Sequence, residues 1–493
     1  MFKEIIIDQF LDEVIKYPQN NAFCINNAFY SYSEFTKRVV AIARSIQNCP
    51  EVNIALIAND DLDTYASIFA IWANGKSYVP LNPETPKERN RNVINQVGIK
   101  TILDSKSTAK LKSQDLNLSI QWLKEQTGSI DFDNQIAYIF FTSGSTGTPK
   151  GVTISKNNVA SFVEAFWALG YNIDETDRVL QMFELTFDLS VMSYLIPLLK
   201  GSCVYTIPKG KIKYSYIFEL MEDHELTVAL MVPSMLNYLR PYFEEIRCPK
   251  MKYSLFCGEA LQEQILSEWA ECLPNAQIDN VYGPTEDTIF CTRYTYNRNG
   301  ENDSHNGVLS IGTSMRNNLA VVFDEKNTQC RYNEVGELCL AGAQLTPGYF
   351  NKPELNRDMF FHLNYNGDDT RFYRTGDLCL LKKNGNIEYI GRKDSQVKIQ
   401  GFRIELSEVE FHTKNAIKGT VPLVALALKN VTGNFEIAIV FESPEFEISG
   451  IKQYLNSKMP SYMVPSRYSF IKQFPLNTNG KTDRKKIEEI MAV

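Results

Sequence analysis

Ten consecutive residues, Thr142-Ser143-Gly144-Ser145-Thr146-Gly147-Thr148-Pro149-Lys150-Gly151, combine hydroxyl groups, glycines and one lysine between apolar stretches at 137–141 and 152–155. Ser, Thr and Gly also build flexible linkers, but linkers are not normally clamped between apolar strands. Small residues let backbone N–H groups converge, the hydroxyls add donors and Lys150 adds a point charge, which together suit a polyphosphate cradle. The register is not that of a Walker loop, and no G-x-G-x-x-G dinucleotide fingerprint occurs. P-loop ATPases and Rossmann dehydrogenases lose support accordingly. Four more positions carry reactive side chains in short motifs. Glu286 ends Tyr282-Gly283-Pro284-Thr285-Glu286, alone a turn with an exposed carboxylate. Asp377, in Thr375-Gly376-Asp377, reads as an N-cap or turn aspartate. Asp188, in Phe187-Asp188-Leu189-Ser190, fits an ordinary helix start, although a carboxylate between Phe187 and Leu189 is expensive to bury unless it meets a cation or donors. Lys481 follows Asn479-Gly480, a turn signal that would leave the lysine exposed. The four His, at 224, 305, 362 and 412, lie in none of these motifs and have no metalloprotease spacing.

Alternating layers are needed to hold such a loop. The first 130 or so residues alternate amphipathic helical stretches, at 33–45 and 63–72, with short β-like runs such as 52–58. Further β candidates at 180–182, 202–207, 228–232 and 253–257 continue the rhythm to about residue 290. Short strands with Gly-rich turns follow from about 308 to 390. After Gly391-Arg392-Lys393-Asp394 the last hundred residues form, by size, a separate small unit. The fold class expected is α/β: a large layered N-terminal domain of β-sheets and helices, residues 1–393, and a small α/β C-terminal domain, residues 394–493.

Composition narrows the function further. With 493 residues, 44% hydrophobic and 22% charged, the chain can bury a full core and is neither disordered nor collagen-like. Its net charge of −7 disfavours sequence-independent binding to nucleic acid or to an anionic membrane. Ten Cys, no two closer than nine positions, exclude C-x-x-C pairs and zinc-finger spacing and read as reduced, mostly buried thiols. Asp8, Asp12 and Glu13 fall where a signal peptide needs an apolar core, and no apolar run approaches the roughly 18 residues of a membrane span. The expectation is a cytoplasmic protein without membrane insertion.

Eight stretches occur together and in order: 78–89 (YVPLNPETPKER), 141–152 (FTSGSTGTPKGV), 187–191 (FDLSV), 281–286 (VYGPTE), 336–342 (GELCLAG), 373–378 (YRTGDL), 391–405 (GRKDSQVKIQGFRIE) and 479–487 (NGKTDRKKI). Through them nearly the whole chain resembles the adenylate-forming ligase superfamily, and within it the amino-acid adenylation domains of nonribosomal peptide synthetases and their stand-alone relatives. The resemblance implies a hinge at Asp394 and a mobile C-terminal domain. It implies an ATP site made of Thr142, Ser143, Gly144, Ser145, Thr146, Gly147, Lys150, Gly258, Glu259, Asn280, Tyr282, Gly283, Thr285, Glu286, Asp377, Arg392 and Lys481. In it Tyr282 stacks on adenine, Thr285 reaches phosphate, Asp377 accepts the ribose hydroxyls with Arg392 nearby, and Glu286 helps hold Mg²⁺ through oxygen. Lys481, Glu286 and Thr142 are the catalytic candidates.

The same resemblance pairs Asp188 with the α-ammonium of an amino acid; relatives that activate fatty or aryl acids usually lack it. It gives Leu189, Met192, Leu230, Leu255, Cys257, Val281, Ile289 and Phe290 as pocket walls. None is charged, so the substrate side chain is expected to be apolar or absent, and the bulk of Met192, Leu230 and Phe290 favours a small one. Leu255-Phe256-Cys257-Gly258-Glu259 with the 187–192 segment resembles D-alanine:D-alanyl carrier protein ligases, in which a cysteine at this place shapes the pocket for the D-enantiomer; a core cysteine without that role is the alternative. The implied activity is ATP-dependent formation of an aminoacyl-adenylate with release of pyrophosphate, then transfer to a phosphopantetheine thiol. No G-G-x-S carrier motif occurs in the chain, so the phosphopantetheinylated carrier protein is expected in trans. Alternatives are a different small L-amino acid, an acyl- or aryl-CoA ligase, and a catalytically silent AMP-binding module.

Overall fold

The computed structural model describes residues 1–144, 148–419, 421–476 and 482–491. Two compact units emerge. The first comprises residues 1–82, 97–140 and 151–393, and the second 83–96, 141–150 and 394–493.

Two stacks of parallel strands dominate the first unit. In a nine-stranded sheet, Gln277–Tyr282, Tyr253–Phe256, Val228–Met231, Arg178–Gln181, Cys203–Thr206 and Asn21–Ile25 run parallel in that order. Antiparallel strands close its edges, Thr292–Thr295 and Thr313–Ser314 on one side and Ala28–Ser31 on the other. A six-stranded sheet orders Gly348–Tyr349, Lys150–Ser155, Ile136–Thr142, Ser77–Leu81, Asn53–Ile57 and Ile102–Leu103. Strands such as Val228–Met231 and Ser77–Leu81 are buried at every position, which is why they read as continuous apolar runs rather than as alternation. The connecting helices show why they start where they do. Tyr32–Ile46 opens with a reciprocal Ser31–Glu34 capping box, and Asp61 caps Leu62–Ala73 through the Thr64 N–H. A third, five-stranded antiparallel sheet contains Asn318–Phe323, Val335–Gly342, Phe360–Tyr365, Asp368–Leu381 and Ile387–Arg392. Helices Tyr32–Ile46 and Leu62–Ala73 and strands Asn53–Ile57, Arg178–Gln181, Cys203–Thr206, Val228–Met231 and Tyr253–Phe256 match the sequence expectation in type, with ends shifted by one or two residues, whereas strands such as Asn21–Ile25 and Ser77–Leu81 are not among those expected.

The second unit is built on a three-stranded sheet, Leu423–Lys429, Phe435–Glu442 and Arg467–Ile471, with helices Leu406–Ala416, Ser449–Lys458 and Arg484–Met491. Its core includes Ile404, Val409, Ile439, Phe441 and Leu455. The hairpin Gln396–Ile399/Phe402–Glu405 turns on Gln400 and Gly401, both at positive φ, as a two-residue primed turn requires. No helix among the described residues is long and apolar enough to cross a membrane.

Candidate active site

In open parallel sheets, ligands bind beyond the carboxyl ends of the strands. Strands Val228–Met231, Tyr253–Phe256 and Gln277–Tyr282 end together, and Leu230, Leu255, Cys257, Val281 and Tyr282 lie at those ends. Leu230 and Leu255 are directly paired across adjacent strands. Leu189 and Met192 are on the buried helix Leu189–Leu198, and Ile289 and Phe290 on the turn after Tyr282. All eight expected wall residues are buried. Asp188 occupies the N-cap position of that helix, but its side chain makes no capping hydrogen bond and its carboxylate is buried. The ordinary helix-start reading of Asp188 therefore does not describe what the side chain does.

A second cluster joins residues far apart in sequence. The Tyr282 hydroxyl donates to Asp377 Oδ2 at 2.5 Å, and Arg392 Nη1 donates to Asp377 Oδ1 at 2.9 Å and to the Thr375 carbonyl at 2.8 Å. Asp377 and Arg392 are opposite one another on paired strands, so Asp377 is neither a helix cap nor a turn residue. Burial, and then the Asp377 carboxylate, push the Tyr282 phenol well above its ordinary pKa, so it stays a donor. Glu286 is fully buried, in a short 3₁₀ turn with Thr285; the Tyr349 hydroxyl donates to its Oε1 at 2.6 Å and lies 3.3 Å from the Tyr373 hydroxyl. Next to it, burial raises the Asp287 carboxyl to about 7, against a lowering hydrogen bond from Cys291. Gly283 passes so close to Phe290 that a Cβ would lie 2.3 Å from the Phe290 Cα, so only glycine fits.

Other candidates are committed to backbone. The Asn280 amide donates to the Ser310 carbonyl at 2.8 Å, and Glu259 Oε2 accepts the Ser234 N–H at 2.7 Å. Gly258 takes φ +94°, a conformation L side chains rarely adopt.

The described part of the loop from Thr142 to Lys150 belongs to the second unit. The Thr142 hydroxyl is buried with no hydrogen-bond partner among the described residues. Ser143 Oγ donates to the Arg403 carbonyl at 2.7 Å and accepts the Glu405 N–H at 3.1 Å. The Gly144 N–H donates to Glu408 Oε2 at 3.1 Å, and Glu408, fully buried, also accepts from Arg89 Nη1 at 2.6 Å. Lys150 lies 3.8 Å from Glu405. A Cβ on Gly144 would meet the Thr148 carbonyl at 2.2 Å, so the glycine permits the loop to close on itself. Asp394 Oδ1 accepts the Gln396 N–H at 3.0 Å. Ser145, Thr146, Gly147 and Lys481 lie outside the described residues.

Sequence reasoning missed Tyr349, Gln344, Arg89 and Glu408 as individual residues. Tyr349 and Glu286 are separated by 63 positions, and nothing in spacing links a tyrosine to a carboxylate at that distance.

A layered α/β chain with a buried carboxylate at a helix start and a tyrosine–aspartate–arginine cluster in its first unit, and a glycine-rich loop in its second, has the architecture of adenylate-forming ligases. The chain belongs to the family described as AMP-binding enzyme, whose model matches residues 10–350, and is an ATP-dependent ligase of that family. It is 30% identical to zwittermicin A synthase ZmaJ of Bacillus cereus over 97% of this chain and 93% of ZmaJ. Seven further curated relatives, at 28–30% identity, are longer, and the chain spans 8% to 44% of their lengths. In fold it is similar to the Vibrio cholerae adenylation domain AlmE in complex with glycyl-adenosine-5'-phosphate, with TM-score 0.86, 24% identity and coverage of 99% of this chain and 97% of AlmE. It is also similar in fold to the artificially fused adenylation-PCP di-domain NpsA-ThdA from Klebsiella oxytoca, with TM-score 0.79, 24% identity and coverage of 94% and 93%.

Proposed function

We infer that this protein adenylates a small amino acid whose side chain is apolar or absent, with D-alanine favoured, and passes it to the phosphopantetheine thiol of a separate carrier protein. The observation that carries the reading is Asp188: a buried carboxylate at a helix start, not used as a cap, in a chain whose eight expected pocket walls are all uncharged and buried. A substrate α-ammonium suits such a carboxylate, and none of the eight walls carries a charge that would pair with a charged side chain. ZmaJ's description as a synthase, the glycyl-adenylate carried by AlmE and the PCP domain fused to NpsA support the same class of chemistry.

The first half-reaction needs no protein nucleophile. A substrate carboxylate oxygen attacks the α-phosphorus of ATP in line, the bond to pyrophosphate breaks, and the aminoacyl-adenylate stays bound. The protein aligns the reactants and neutralises charge. Asp377 and Arg392 position the ribose, Tyr282 the adenine, and the 142–150 loop with Lys481 the phosphates. Glu286 offers a hard oxygen donor suited to Mg²⁺, which would supply positive charge at the phosphates, and Thr285 reaches a phosphate. In the second half-reaction the carrier thiol sulfur attacks the acyl carbon, its proton is lost and AMP leaves. Residues 394–493 carry a net charge of +2 and residues 1–393 a net −9, so the C-terminal part favours docking of an acidic carrier.

ATP–pyrophosphate exchange with D-alanine, L-alanine, glycine and propionate tests the reading. Exchange is expected with an amino acid and not with propionate, and Asp188→Ala should lower kcat/KM by roughly two orders of magnitude, about 3 kcal/mol. Equal exchange with propionate sinks the amino-acid assignment.

A further inference from the structure

The turn joining Gln277–Tyr282 to Thr292–Thr295 contains two consecutive non-glycine residues in the left-handed region, Thr288 at φ 50° and Ile289 at φ 75°. Both are buried. A β-branched residue in this conformation is an outlier, and it persists only where its surroundings over-determine it.

The group that does so is Gln344, fully buried just beyond strand Val335–Gly342. The two N–H bonds of its Nε2 are shared among the carbonyls of Asp287 at 3.2 Å, Thr288 at 3.1 Å and Phe290 at 2.9 Å. Its Oε1 accepts Asn318 Nδ2 at 2.6 Å, and its backbone carbonyl accepts the Thr288 hydroxyl at 2.6 Å. Three carbonyls of one strained turn thus converge on a single carboxamide. A side chain of equal length that is apolar or anionic cannot satisfy them. Glu286 is anchored separately, its backbone carbonyl by the Thr346 N–H at 2.8 Å and its carboxylate by Tyr349.

We propose that Gln344 is a positioning residue for substrate selection: its carboxamide holds the 287–290 turn so that Ile289 and Phe290 present fixed walls to the substrate side chain. This rests on the reading of Ile289 and Phe290 as pocket walls. Because Glu286 has its own anchors, loss of the carboxamide disturbs the amino-acid side of the site more than the nucleotide side.

Gln344→Met keeps the length and removes both donor and acceptor. In amino-acid-dependent exchange it should raise KM for the amino acid about tenfold, move kcat and KM for ATP less than about threefold, and shrink the alanine-over-valine ratio of kcat/KM several-fold. Adding Thr288→Gly, which adopts positive φ without a brace, should restore part of that ratio. Hydrogen exchange read by mass spectrometry should speed up in 283–291 of Gln344→Met and stay unchanged in strand Tyr253–Phe256. Unchanged KM and ratio overturn the proposal, whether or not the turn loosens, and so does an equal rise in both KM values. If the wild type exchanges with no amino acid, the substrate reading fails, and the brace is then judged by hydrogen exchange alone, where unchanged protection of 283–291 overturns it.

Discussion

At the scale of single residues, the hydrogen bond from Tyr349 to Glu286 ties a neutral donor to a carboxylate that has left water entirely. Bonds of this kind contribute about 1.5–3 kcal/mol. Tyr349→Phe should therefore lower kcat/KM for MgATP by roughly ten- to a hundredfold in exchange assays, with the fold intact by circular dichroism. Lys156 gives a prediction about stability. It is fully buried, its Nζ donates to Gln135 Oε1 at 2.7 Å and lies 5.1 Å from the centre of the Phe132 ring, and no carboxylate pairs with it among the described residues. Burial, reinforced by Lys76, lowers its pKa to about 7. The unfolded lysine titrates near 10.4, so between about pH 7 and 10.4 the unfolded state binds more protons and stability rises with pH. Below pH 7 the charge costs the folded state a few kcal/mol in full. Lys156→Met should raise Tm most at pH 6–7, with the gain fading toward pH 10; a gain independent of pH would show that the charge is not responsible.

Among elements, the helix Leu406–Ala416 carries Glu408, which holds both Arg89 of helix Lys87–Val97 and the Gly144 N–H of the glycine-rich loop. Removing one partner of a buried ion pair strands the other charge, at a cost of about 3–5 kcal/mol. Arg89→Met and Glu408→Gln should each destabilise the protein in urea unfolding, while the double variant should be milder than the sum; strict additivity would mean that the two side chains do not interact energetically. No feature of the sequence announces this triangle, because its members are 55 and 264 positions apart along the chain. The strands and helices themselves were legible, since strand burial writes continuous apolar runs and helix starts write Ser31–Glu34 or Asp61. Tyr282, Asp377 and Arg392 each stand in a short motif, and the structure joins the three by hydrogen bonds. Illegible were the supports behind them. Gln344 and Tyr349 act through side chains whose partners are set by the packing of separate sheets, and local spacing carries no record of that.

For the molecule as a whole, the hinge at Asp394 and the mobile C-terminal domain that the family resemblance implies lead us to propose two states, one for each half-reaction, with Lys481 serving adenylation alone. Lys481→Ala should abolish most pyrophosphate exchange and leave thioester formation from supplied aminoacyl-adenylate largely intact, whereas Asp394→Pro should impair transfer more than exchange. Equal losses in both half-reactions for Lys481→Ala would defeat the two-state scheme while leaving adenylation standing. The cysteines bear on the same chemistry. None of the ten is in a disulfide, eight are buried, and burial raises the thiol pKa of Cys24, Cys203, Cys248, Cys272, Cys291, Cys330, Cys339 and Cys379. The thiolate, not the thiol, is the nucleophile. An acyl-adenylate is an electrophile, and an enzyme that makes one risks acylating itself. Cys291, whose N–H donates to the Tyr282 carbonyl, is held protonated by burial and then by the Asp287 carboxylate, so this thiol is a poor nucleophile toward an acyl-adenylate.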